Sequence, residues 1–91
     1  MKKTQQLKNI EEMDNKLTLI MDIIDLECNQ DGLILDHDKY LQILGLLDDI
    51  LGLWENIRIK NDTTEKIYIA LVIINEDFIK INNKYYDEPY V

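Results

Sequence analysis

The residues able to do chemistry are few, and their spacing suits none of the common reactions. Asp36-His37-Asp38 is the one place where the single histidine meets carboxylates. A metal site needs three or four ligands converging from separate positions. No second histidine exists, Cys28 is distant in sequence, and neighbours at a helix start point apart. Two candidate helix caps around a solvated imidazole account for the triplet better. Asp31-Gly32, with Asp36 and Asp38 following, invites comparison with a calcium loop. Such a loop wants Gly at its sixth position and Glu at its twelfth, where this chain has Asp36 and Gln42.

Cys28 is the only cysteine, so no intramolecular disulfide can form. As a nucleophile served by His37 it would lack an oxyanion hole and a third orienting group. It also continues an apolar stripe, which suits a structural cysteine. Asp48-Asp49 and Glu76-Asp77 are adjacent carboxylates. Neighbours on a helix diverge by about 100°, so neither pair can act as acid and base on one bond. There is no Gly-rich phosphate loop and no Ser-centred elbow. The chain is therefore expected to be non-enzymatic, with no cofactor and no metal.

What is left for function is surface. The net charge is −8, and it is spread evenly along the 91 residues without a long acidic block or a basic arm. Such a chain is repelled by phosphate backbones, so direct nucleic-acid binding is not expected. The favoured partner is a protein with a basic surface; solubility alone would also account for the charge. Candidate partner-binding residues are Asp48, Asp49, Glu55, Glu76 and Asp77, together with Tyr85, Tyr86, Asp87, Glu88 and Tyr90 in the C-terminal stretch. Tyrosines among acids make good contact surface, although they can equally fold back over a core edge.

The elements that must position these residues read as helices. Three glycines and one proline interrupt the whole chain, too few for a many-turned β fold. In the first segment, about 4–28, Leu7, Ile10, Met13, Leu17, Ile20 and Ile24 recur at spacings of three and four. Leu19, Met21, Ile23 and Leu26 widen that stripe, so the second half is expected to be the more deeply covered. Asn29 to Gly32 should end the helix, and Leu33-Ile34-Leu35 should plug the end of the core.

The second segment, about 37–59, can be capped by Asp36 or Asp38. It places Tyr40, Ile43, Leu44, Leu47, Ile50, Leu51, Trp54 and Ile57 on one face. Gly45 and Gly52 lie on the opposite face, where they either admit another backbone or are merely tolerated.

Asp62 with Glu65 fits a capping box, so a third helix should start near Thr63. Its core stripe is Ile67, Ala70, Leu71, Ile74, Phe78, Ile81 and Tyr85. The run from Ile67 to Ile74 is apolar throughout. Its β-branched content also suits a strand, but the capping box and the stripe through Phe78 favour helix. A helix apolar all round must be covered twice. A second copy of the chain would do so, with Leu46, Leu53, Tyr68, Ile69, Val72, Ile73 and Ile79 as self-association candidates.

The expected architecture is all-α: a small three-helix bundle, or a helical hairpin plus a third helix, dimerising. Residues 1–83 form the domain and 84–91 a Tyr-rich acidic tail, with Pro89 stopping any helix. No segment is apolar for long enough to span a bilayer, and no signal peptide is evident, so the expected location is cytoplasmic. Frequent Ile, Asn, Lys and Tyr with little Arg and Ala suggests AT-rich coding, as in a low-GC bacterium, a phage or a mobile element. Size and charge are similar to those of small immunity proteins and phage-encoded inhibitors, although no motif assigns one. The expected function is an acidic inhibitor, antitoxin-like or immunity-like protein that covers a basic surface. A special case is mimicry of nucleic-acid charge on a nucleic-acid-binding target. The alternative is a self-assembling structural or adaptor homodimer.

Overall fold

In a computed structural model describing residues 3–86, helix α1 spans Lys3–Glu27 and α2 spans His37–Trp54. A third helix, α3, covers residues 62–86. It is α-helical over Asp62–Ile73, π-helical over Ile74–Ile79 and α-helical again over Lys80–Tyr86. The fold is all-α, and the run from Ile67 to Ile74 is helix rather than strand. Asp87, Glu88, Pro89 and Tyr90 lie outside the described residues.

The three helices run up, down and up. Gln6 meets Arg58 and Ile59, and Lys16 meets Asp49, so α1 and α2 are antiparallel. Lys66 meets Asp14 and Asn82 meets Ile34, so α3 runs alongside α1 in the same sense. The molecule measures 42 × 29 × 19 Å, and its radius of gyration is 14.0 Å. A sphere-like chain of this length would give about 12 Å. Nineteen ångströms is roughly two helix diameters, so the bundle is a thin layer.

That thinness decides what is buried. The core is one stripe per helix: Ile10, Met13, Leu17 and Ile20 from α1; Tyr40, Ile43, Leu47 and Ile50 from α2; Ile67, Leu71, Ile74 and Phe78 from α3. Ile34 plugs one end, fully buried, as expected of the connector. The expectation that the second half of α1 is the better covered does not hold. Leu19 and Met21 are exposed, and Leu26 is 82% exposed. Two neighbouring helices in a thin layer cover one stripe of α1, not a widened one. Leu7 is likewise exposed, and Leu51 stands partly out of the α2 stripe.

Three local departures have physical causes. The third helix begins with a capping box made by Asn61 and Thr64 rather than by Asp62 and Glu65. The Thr64 N–H donates to Asn61 Oδ1 at 2.9 Å, and the Asn61 N–H donates to Thr64 Oγ1 at 2.8 Å. Asp62 and Glu65 instead fall in the first turn, where they complement the helix dipole.

Helix α2 stops at Trp54 instead of reaching Ile59. Gln6 Oε1 accepts both the Arg58 N–H at 2.8 Å and the Ile59 N–H at 3.1 Å. Those donors would otherwise go to carbonyls four residues back and prolong the helix. Gln6 is accordingly buried, a polar residue within a helix read from its apolar residues alone.

The third departure is the register of α3. A straight helix carries the core stripe from Phe78 to Ile81 and Tyr85. A π turn accommodates one extra residue and turns everything after it back by about 100°. Asn82 and Tyr86 therefore face inward, while Ile81 and Tyr85 turn outward to 41% and 52% exposure. Asn82, fully buried, accepts the Ile34 N–H and donates to the carbonyls of Gly32 and Phe78, each at 2.9 Å. Tyr86 donates its hydroxyl to the Ile34 carbonyl. The α1–α2 connector is thus held by side chains of α3. It turns through Asn29, whose Oδ1 accepts from Asp31 and Leu33, and through Gly32 at φ +84°.

Candidate functional site

Two surfaces hold the candidate residues. The first is an aromatic end where α2, α3 and the connector meet. Tyr86 stacks on Tyr40 (ring centroids 5.5 Å apart) and on His37 (4.6 Å), and Tyr40 also meets Phe78. The Tyr40 hydroxyl donates to Asn83 Oδ1. Burial raises the Tyr86 phenol above its usual range, helped by the nearby Tyr85 and Asp36. Asp36 caps α2 by accepting the Asp38 N–H at 3.0 Å. The Asp36-His37-Asp38 triplet is thus a helix start with its imidazole stacked on a ring. Cys28, half-buried beside the connector, has its thiol pKa raised by burial, the opposite of an activated nucleophile. Of the C-terminal tyrosines described, Tyr86 stacks within this packing, and Tyr85, half exposed, meets the Tyr86 ring edge-on with centroids 5.0 Å apart.

The second surface is a trough between the C-terminal end of α2 and the first turns of α3. It consists of two adjoining open clefts of about 670 and 280 Å³. Trp54 and Tyr68 belong to both, their rings stacked at 6.2 Å. Ile57 and Ile59 line one side of this pair, and Leu51 and Val72 the other. Beyond the trough the apolar surface continues around α3 through Ile69 and Ile73, both at least half exposed. Tyr68, Ile69, Val72 and Ile73 span the arc opposite the helix's core stripe, which is why a run apolar on all sides leaves one side in solvent.

The charges around the trough are mostly carboxylates. Asp62, Glu65 and Glu76 line it, with Lys60 at the end nearest the α2–α3 connector. Lys66 projects from the other side of α3 and reaches Asp14 at 3.7 Å. Lys16 reaches Asp49 at 3.4 Å. Both ion pairs are solvent-exposed and contribute little to stability, but they direct these lysines away from the trough.

The other sequence candidates are scattered. Asp48, Asp49, Glu55 and Asp77 are all exposed, but of the acidic candidates among the described residues only Glu76 lines the trough. Leu46, Leu53 and Ile79 are half-buried against the chain's own core. Gly45 and Gly52 face open space, with nothing within 4 Å of where a Cβ would stand. Trp54 and Ile57, read from spacing as core, are half-buried against it and also edge the trough, while Leu51 beside them is exposed. Among the described residues no three His, Cys, Asp or Glu side chains group as metal ligands. No helix there is long and apolar enough to cross a membrane. No family model, curated protein or solved structure matches this chain.

Proposed function

We propose that this chain is a non-enzymatic, acidic protein–protein interaction module. It covers a basic surface on a protein target, as an inhibitor, antitoxin or immunity protein does, and acts in the cytoplasm of a low-GC bacterium, carried there by a phage or mobile element. The supporting observation is the trough at half-buried Trp54 and exposed Tyr68: aromatic and aliphatic surface bordered by Asp62, Glu65 and Glu76. Apolar patches of this kind on small proteins mark contact surfaces. Aromatic anchors hold a complex, and surrounding charge steers its encounter. A target that binds nucleic acid, recognised by mimicry of phosphate charge, is a special case of the same reading.

The test is capture by the tagged chain from such a lysate, washed at low and then high salt. One stoichiometric basic protein, released at high salt and lost with Tyr68→Ala, is the expected result. Capture of no basic protein, or capture indifferent to salt, would refute the reading.

A second reading, self-assembly into a homodimer, draws on Ile69 and Ile73, which no part of the described chain covers. Sedimentation of the parent with Ile69→Glu and Ile73→Glu decides it. Three monomers that fold alike would end it.

A further inference from the structure

Resting on that reading, we infer that the element seated in the trough is a basic amphipathic helix of the partner, its apolar side chains on Trp54, Tyr68 and Val72 and its cations on Glu65 and Glu76. The spacing carries the inference. Glu65 and Glu76 lie eleven positions apart on α3, three turns or about 16 Å. Tyr68 and Val72 fall between them on the same side of the helix. The groove is therefore an apolar floor three turns long with a carboxylate toward each end. A helix laid along it presents apolar residues at spacings of three and four, with Lys or Arg about three turns apart.

Charge chooses among the possible occupants. A second copy of this chain would place carboxylates against carboxylates around a shared axis, and like charges facing each other across an interface are unfavourable. A nucleic acid is repelled by the same rim. A cationic helix meets complementary charge at both ends of the floor. Lys60 opposes it only at the far end of the larger cleft, beyond Glu65. The floor belongs to two helices that are already formed and packed on α1, so no part of this chain need fold on binding.

The experiment titrates the full chain with a tryptophan-free peptide of leucine and lysine, patterned so that lysines flank a three-turn leucine face. A peptide of the same composition in scrambled order is the comparison. Trp54, the only tryptophan, reports directly from the floor. The patterned peptide is expected to bind one to one, to shift Trp54 emission to shorter wavelength, and to bind roughly tenfold more tightly than the scramble. Val72→Glu is expected to abolish that advantage, and so is the double variant Glu65→Lys, Glu76→Lys. All three positions are at the surface, so circular-dichroism melts should match the parent; if Val72→Glu melts lower, the double variant decides.

Equal binding of both peptides, or an advantage that survives the variants, overturns the proposal. So does a parent chain that is dimeric in sedimentation and made monomeric by Val72→Glu. The two readings fail separately. A basic lysate protein retained equally by parent and Val72→Glu leaves the module reading standing and removes this seat. Capture of no basic protein removes the module reading itself.

Discussion

Asn82 is the residue whose replacement should cost most for its size. It is fully buried at the end of α3, and its amide serves three backbone groups: the Ile34 N–H and the carbonyls of Gly32 and Phe78. In Asn82→Ala all three bonds go, and the Ile34 N–H is left in a buried position without its acceptor. A net hydrogen bond is worth about 1 kcal/mol, and an orphaned buried donor costs about 1–3 kcal/mol. The Gly32 carbonyl lies nearer solvent and can recover water. The expected loss is therefore about 3 kcal/mol, a large share of the roughly 5–13 kcal/mol that a chain of this length can have.

Urea unfolding followed by far-UV circular dichroism measures it, with Trp54 fluorescence as a second probe of the same transition. Asn82→Asp is no rescue, because it keeps the acceptor for Ile34 but turns lone pairs toward two carbonyls. Tyr86→Phe removes the hydroxyl donated to the Ile34 carbonyl. Because Asn82 and Tyr86 hold the same residue, the double variant should cost less than the two single losses together. A loss under about 1 kcal/mol for Asn82→Ala would refute the reasoning. It would mean that α3 sits equally well in the straight register, with Ile81 and Tyr85 inside.

Three further outcomes are expected. Gly45→Ala should stabilise by about 0.5–1 kcal/mol in thermal or urea melts, since the methyl meets open space on a helix face, and Gly52→Ala, nearer the helix end, by somewhat less. Deleting Glu76, an exposed residue of the π segment, should leave a straight helix with Asn82 and Tyr86 still inward and the fold intact by circular dichroism; collapse of the melt would contradict the register argument. Tyr86 has its pKa raised in the fold, so its stabilising contribution is complete below the usual phenol pKa near 10 and fades as pH climbs through the higher folded value. Alkaline unfolding should therefore be shallower in Tyr86→Phe, and identical curves would contradict the assignment.

How much of this was legible in the sequence differs from element to element. Spacing places α1, α2 and most of α3, because apolar recurrence at three and four is a property of each helix alone. Asp36 as a cap and Ile34 as a plug follow from local chemistry in the same way. The trough residues were legible only in part. Tyr68, Ile69, Val72 and Ile73 stand out as surplus apolar surface, but Trp54, Leu51 and Ile57 fit the core pattern equally well.

Four outcomes needed the tertiary structure. Helix α2 ends at Trp54 because Gln6, fifty-two positions from Arg58, takes the next backbone donors. The α1–α2 connector is held by Asn82, forty-eight positions from Ile34. The π turn exchanges Ile81 and Tyr85 for Asn82 and Tyr86. The outer face of α3 stays bare because the layer is 19 Å thick. The physical reason is common to all four. Helical periodicity is written in neighbours three and four apart, whereas a buried amide, a register shift and an uncovered face depend on partners that only the packed chain brings together.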